Sequence, residues 1–304
     1  MEVEYKENFD ITNMTTFKVG GIVKEVYFPK NQKEFVYLLQ TVKNPLVLGN
    51  CSNVIFSSLG YEGVVICTNK MEFIEVRGTH IIAECGAKGP MVSQIAYNSS
   101  LSGFEFMIGF PGSIGGNVFM NAGAHGQNVS DTFVKACLFD LKTKEVVYMD
   151  KPEMKFGYRT SALQDGRYIL LSAEFELKRA NQIDIKSLMD RNLEFRKNIQ
   201  PSLATPNAGS VFKNPENDSA GRLLDKAGVK DLVSDNVKVW EKHANFIINT
   251  GNATSENILE MIYKMYSLVK ETYTIELEPE IRFIGKKNKR EEEICRQIYK
   301  KIQK

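Results

Sequence analysis

Among 304 residues there are one tryptophan, three histidines and five cysteines, and no two of the cysteines are spaced C-x-x-C. Cys51, Cys67, Cys85, Cys137 and Cys295 are odd in number and scattered. That excludes a disulfide framework and fits buried free thiols in a reducing cytoplasm. His80, His125 and His243 are isolated from one another, so no metal site is expected. No apolar run approaches the roughly 18 residues of a membrane span, and the opening MEVEYKENFD is too acidic and polar for a signal peptide. Membrane insertion is therefore not expected, and a cytoplasmic location is. A dominant charge is also missing, the net value being +2. The stretch KKNKREEEICRQIYKKIQK (286–304) departs from this at +5, leaving −3 for the rest. With no aromatic stacking platform beside it, it reads as a solvated basic terminal helix, and no nucleic-acid partner is expected.

The length exceeds one comfortable core, so two or three domains are expected. EFVYLLQTV (34–42) and PMVSQIAYNSSLSG (90–103) have helical spacing, whereas PLVLG (45–49) and GVVICT (63–68) read as buried strands. EFIEVRGTHIIAECGA (72–87) predicts two strands turning at Arg77-Gly78, 134–150 a hairpin, and YILLSAEFELK (168–178) a long alternating strand. A charged helix at 183–201 leads to Pro201 and Pro206, the best place for a domain cut. Beyond it come a helix around AGRLLDKAG, a strand in HANFIINTG and a long helix at 255–273. That helix has an apolar face of Ile258, Ile262, Met265, Tyr266 and Val269, and a strand at 275–285 follows it. The irregular alternation implies an α+β fold.

GFEFMIGFPGSIGGNVFMNAGAHG (103–126) holds seven glycines and a proline in 24 residues, a density that predicts neither helix nor strand. Its spacing fits neither G-x-G-x-x-G nor the G-x-x-x-x-G-K-[ST] phosphate loop. Glycine backbone can still converge N–H groups on a diphosphate with few charged side chains. GNCSN (49–53), directly after a strand, suits the same work. Together they suggest one elongated anionic ligand.

NMTTFKVGG (13–21), VLGNCSNVIF (47–56) and GFPGSIGGNVFMNAGAHG (109–126) resemble the flavin-binding motifs of the UDP-N-acetylenolpyruvoylglucosamine reductase family. FGYRTS (156–161), AGSVFKNP (208–215), AGRLLDKAG (220–228), KHANFIINTGNAT (242–254) and LEPEIRFIG (277–285) continue the match in order, and the length resembles the family's shorter type. The resemblance implies a two-lobed FAD-binding domain of the vanillyl-alcohol-oxidase type over 1–198, a substrate domain over 199–285 and a basic tail over 286–304. It implies reduction of the enolpyruvyl ether of UDP-N-acetylglucosamine with FAD and NADPH, and a monomer is expected. The flavin contacts implied are Gly49, Asn50, Cys51, Ser52 and Asn53 on one side. On the other they are Gly109, Pro111, Gly112, Ser113, Gly115, Gly116, Asn121, Gly123 and Ala124. Cys51 departs from the family's G-x-G-S-N, adding a side chain, and with it a potentially reactive thiol, near the expected diphosphate. Phe110, Asn117 and the segment Asp235–Trp240 depart as well.

That reaction needs a fixed cation or donor at the substrate carboxylate, where enolate charge builds, and a proton donor at the α-carbon. The resemblance assigns Arg159 to the carboxylate, which a guanidinium can grip with two parallel hydrogen bonds. It assigns Ser210 to the proton and Glu280 to the enolic intermediate; Lys213, close in sequence, is suited either to stabilise the alkoxide or equally to neutralise the UDP diphosphate. Glu278, Glu280 and Arg282 would share one strand face by period-2 alternation, so periodicity does not choose between the two glutamates. Tyr158, Lys213, Asn214 and Arg282 are the implied substrate contacts. His125 and His243 are read as structural. The competing readings are an oxidase on the same scaffold and a non-catalytic flavin sensor.

Overall fold

The apolar alternation of 72–87, 134–150 and 168–178 is satisfied in one five-stranded antiparallel sheet. Its strands lie in the order Glu145–Asp150, Phe133–Asp140, Tyr168–Glu176, His80–Glu84, Ile74–Arg77. The computed structural model describes residues 2–300, which form two compact units. This sheet belongs to the first, which comprises residues up to 6, 25–50 and 63–196. Its core joins Phe104, Phe106, Phe139 and Phe175, with Phe104 and Phe175 edge to face at 5.1 Å. Helix α1 (Gln32–Thr41) starts at Asn31, whose side chain accepts the Glu34 N–H, and buries Phe35, Leu38 and Leu39. Helix α2 (Gly89–Asn98) stops short of the expected end because Ser100 turns left-handed (φ 57°). The glycine-rich stretch does contain a helix, α3 (Ile114–Phe119). The expectation of none fails because tertiary contacts override propensity: Gly115 donates to the Cys85 carbonyl at 2.7 Å, and a Cβ there would press to 3.0 Å of that oxygen. Helix α4 (Gln182–Ile199) follows.

The second unit comprises 7–24, 51–62 and the described residues from 197 on, so it takes in two early segments that the sequence reading placed in the first domain. Helices α5 (Ala220–Lys226) and α6 (Ser255–Tyr273) supply much of its core. All five residues of the expected α6 face are buried. Strand Val54–Phe56 runs parallel to Arg282–Ile284, with Arg282 opposite Val54, and Val237–Val239 pairs with Ile247–Asn249. The expected strand over 275–285 shrinks to Arg282–Ile284, since Pro279 cannot donate to a ladder.

The basic tail is not a solvated helix. Helix α7 (Lys289–Ile298) buries Glu291, Ile294, Cys295 and Ile298. The Ser255 hydroxyl donates to Glu291 Oε1 at 2.5 Å, and Glu291 Oε2 accepts the Asn288 N–H. Buried Tyr299 donates to the Ile281 carbonyl at 2.8 Å. The charge count hid an apolar stripe three and four residues apart. Residues 301–304 of that tail lie outside the described residues. Ile294→Ala is expected to destabilise the protein by about 2–5 kcal/mol in urea unfolding, the range for truncating a buried isoleucine. A loss below about 0.5 kcal/mol, typical of surface positions, would mean that α7 does not dock.

Candidate active site

Two separate groups of predicted residues assemble, one within each unit. In the first unit the turn at 48–50 meets the start of α3. The Asn50 side chain donates to the Pro111 carbonyl at 2.6 Å. A Cβ on Gly49 would lie 2.2 Å from Ser113 Oγ, so only glycine permits this approach. Residues 112–115 are pinned alongside 85–89, with Gly89 donating to Gly112 at 3.0 Å and Ile114 to Ala87 at 2.8 Å. Ser113 Oγ is buried yet lacks a hydrogen-bond partner. A Cβ on Gly116 would meet nothing closer than Ser113 Oγ at 4.0 Å. An unmatched buried hydroxyl beside open glycine backbone fits a ligand rich in acceptors, as a diphosphate is. The residues present fit FAD. Arg196, on α4, covers Gly109, where a Cβ would fall 2.6 Å from its Cδ. Burial pushes the Arg196 pKa down.

The same stretch positions Arg159. Gly123–Ala124 pairs with Gln127–Asn128 around His125 (φ 55°) and Gly126 (φ 78°), a two-residue hairpin turn that demands left-handed backbone. Asn121, itself left-handed, donates to the Gly157 carbonyl at 3.0 Å and accepts the Ser130 N–H at 2.9 Å. Gly157 and Thr160 exchange backbone hydrogen bonds, which leaves Tyr158 and Arg159 at the tip of a tight turn. Arg159 has φ 55°, unfavourable for a side chain with a Cβ. Strain of that kind persists where the surroundings over-determine it, often at functional positions. Here the Arg159 carbonyl accepts from Gln164 Nε2 at 3.0 Å, and its guanidinium donates to the Gly123 carbonyl at 3.2 Å. It also lies 5.1 Å from the ring centroid of Tyr158, which is 56% exposed.

The second group gathers Asn53, Ser210, Lys213, Asn214, Glu280 and Arg282. Residues 211–213 run antiparallel to 278–280: Lys213 donates to the Glu278 carbonyl at 2.9 Å and Glu280 to the Val211 carbonyl at 2.8 Å. Ser210 thus precedes a peptide that is hydrogen-bonded to Glu280. The Asn53 side chain donates to the Glu280 carbonyl at 3.1 Å, and Arg282 donates to the Asn53 carbonyl at 3.1 Å. Gly209 (φ 78°), with its N–H on Asn207 Oδ1, turns the chain into Ser210. Lys213 Nζ pairs with Glu278 at 2.7 Å, which commits Glu278 and separates it from Glu280 on grounds that periodicity lacked. Asn214 Oδ1 accepts the Ala220 N–H at the start of α5. Burial lowers the Arg282 pKa. Ser52 is half-buried beside Asn53.

His243 accepts the Asn245 N–H on Nδ1 at 3.2 Å and packs on Gly221. His125 packs edge to face on Phe195 at 5.3 Å. Burial lowers both imidazole pKa values, which suits structural rings. Asn245 and Gln164, both braces of the candidate residues, escaped the sequence reading. Each acts on backbone groups that only the folded loops bring near, although Asn245 lies inside KHANF.

Cys51 occupies a left-handed position (φ 48°), which explains the family's glycine there. Its thiol is not reactive: it is buried, and desolvation pushes its pKa up to about 12. Cys85 is likewise raised to about 12 and Cys295 to about 11 by burial. Since the thiolate is the nucleophile, native protein at pH 8 is expected to show no rapidly labelled thiol with a disulfide reagent, and five after denaturation. One fast-reacting native thiol, mapped to Cys51, would contradict this burial.

Residues 23–143 match the family model described as FAD binding domain, and residues 200–284 match that of the UDP-N-acetylenolpyruvoylglucosamine reductase C-terminal domain. The chain is 41% identical over 290 residues to the UDP-N-acetylenolpyruvoylglucosamine reductase of Caldicellulosiruptor bescii, covering 93% of this chain and 91% of that one. It is 40% identical to that of Lactococcus lactis subsp. cremoris, covering 93% and 95%. The crystal structure of the reductase from Thermus caldophilus superposes with a TM-score of 0.80 at 30% identity, covering 93% of this chain and 99% of that one. The α+β fold, the glycine cradle and the relatives agree: this chain belongs to the UDP-N-acetylenolpyruvoylglucosamine reductase family, FAD-dependent oxidoreductases of peptidoglycan precursor synthesis.

Proposed function

We propose that this chain reduces the enolpyruvyl ether of UDP-N-acetylglucosamine to UDP-N-acetylmuramate, with NADPH as reductant, as a cytoplasmic monomer. The FAD-binding domain is assigned to 1–198 and the substrate domain to 199–285. The observation that carries this reading is the backbone hydrogen bond from Glu280 to the carbonyl of Val211, the residue after Ser210. The residues that would hold FAD are Gly49–Asn53 and the backbone of 109–124, including Ser113, whose hydroxyl has no protein partner. Bound FAD supplies the hydride that reaches the terminal vinyl carbon.

The remaining tasks fall to side chains. Arg159 binds the substrate carboxylate and holds the negative charge that flows into it as the vinyl bond is lost. Its left-handed turn, braced by Gln164 and Gly123, fixes the planar fork before charge develops. Ser210 gives a proton to the α-carbon. Glu280 shares a hydrogen bond with the enolic oxygen as a protonated acid. Tyr158, Asn214 and Arg282 contact substrate, and Lys213, paired with Glu278, neutralises the diphosphate.

Ser210→Ala is expected to leave flavin reduction by NADPH nearly intact. Reoxidation by the enolpyruvyl substrate should slow by about 10²–10⁴-fold, the cost of losing a positioned acid. Anaerobic stopped-flow absorbance of each half-reaction measures this. Equal slowing of both would assign Ser210 to the fold alone. Arg159→Lys is expected to cut turnover more than substrate affinity, because an ammonium cannot reproduce the bidentate fork; near-normal turnover would overturn the assignment.

A further inference from the structure

We propose that Asn245 is a positioning residue for protonation. It fixes the backbone that presents Ser210 and, through that backbone, the register of Glu280. The inference rests on the roles given above to Ser210 and Glu280.

Asn245 is 3% exposed and spends its polar atoms on the two residues after Ser210. Its carbonyl accepts the Val211 N–H at 2.9 Å. Its Oδ1 accepts the Phe212 N–H at 2.9 Å, and its Nδ2 donates to the Phe212 carbonyl at 2.8 Å. Phe212 is 1% exposed, so water is not available to replace either bond. On its far edge the same segment meets Glu280, whose N–H bonds the Val211 carbonyl. The Val211–Phe212 peptide, one residue on from Ser210, is therefore clamped from two sides, by Glu280 on its carbonyl and by the Asn245 carboxamide on its N–H.

That carboxamide is itself placed by a rigid loop. Between strands Val237–Val239 and Ile247–Asn249, Trp240 donates to the Phe246 carbonyl at 2.8 Å, and Trp240 Nε1 donates to the Ile199 carbonyl at 2.9 Å. The Asn245 N–H rests on His243 Nδ1. Only a side chain with an acceptor and a donor on one short planar group meets both polar atoms of Phe212. Aspartate would keep the acceptor and turn an oxygen toward the Phe212 carbonyl. Serine would reach at most one of the two.

The test uses FAD-loaded, full-length protein with Asn245→Asp and Asn245→Ser, and with Ser210→Ala and the Ser210→Ala/Asn245→Asp double variant alongside. Thermal melting and flavin retention identify a variant that folds. For that variant, NADPH should reduce the flavin at close to the wild-type rate. Reoxidation by the enolpyruvyl substrate should slow by about 10- to 100-fold, the scale of a small misplacement of a reacting group. The double variant should reoxidise no more slowly than Ser210→Ala, because the two act on one proton. The proposal is overturned by wild-type reoxidation in a folded Asn245 variant, by equal slowing of both half-reactions, or by losses that multiply in the double variant. Wild-type reoxidation by Ser210→Ala itself instead strikes the functional reading, and so separates the two failures. If neither single variant folds with flavin bound, Asn245 belongs to the fold and the proposal falls.

Discussion

The hydrogen bond from the Glu280 N–H to the Val211 carbonyl is the contact on which the proposed chemistry depends. A backbone pairing carries no chemistry of its own, yet it decides which side chains are neighbours. Sliding 278–280 by one residue would move Glu280 off Val211 and strip Lys213 of its partner Glu278. The register is held at several points: Lys213 on the Glu278 carbonyl, Asn53 on the Glu280 carbonyl, Arg282 on Asn53, and Asn245 on Phe212. Each is a buried or half-buried polar group, and leaving one unmade costs about 1–3 kcal/mol. Redundancy of that kind makes the placement stiff.

The first unit reaches precision by another route. Its candidate residues Asn121 and Arg159, and His125 in the turn beside them, lie on left-handed backbone that most side chains avoid. Glycine relieves some of these approaches, as at Gly49 against Ser113 and Gly115 against Cys85. Others are held by carboxamides, Asn121 and Gln164, that bond to carbonyls across the turns. The Arg159 guanidinium is held on the Gly123 carbonyl by the fold itself, which suits the role proposed for it. Cys51 shows the cost of departing from glycine: a left-handed residue that carries a side chain, with its thiol buried.

Much of this was legible in the residues. The α6 face, the five-stranded sheet's segments and the helix expected at 34–42 follow from periodicity, which acts over a few residues. The motifs from 109–126 and 208–215 located the candidate site because they encode backbone geometry that few other sequences supply. What stayed hidden was set by distant partners. The docking of α7 depends on Ser255 and Ile281, α3 forms in glycine-rich sequence because 85–89 supplies partners, and Pro279 cuts the last strand to Arg282–Ile284. The brace from Asn245 is likewise a contact between loops, 33 residues apart.

The proposed function requires this chain's flavin to give its electrons to an enolpyruvyl sugar nucleotide. Mixing photoreduced, FAD-loaded wild-type protein with that substrate under nitrogen, while following flavin absorbance and product, measures this transfer. Rapid return of the oxidised flavin spectrum is expected, with one N-acetylmuramyl nucleotide formed per flavin and only slow reoxidation by oxygen when the substrate is absent. A flavin that stays reduced with the substrate but reoxidises quickly in air would contradict it, and would point to an oxidase.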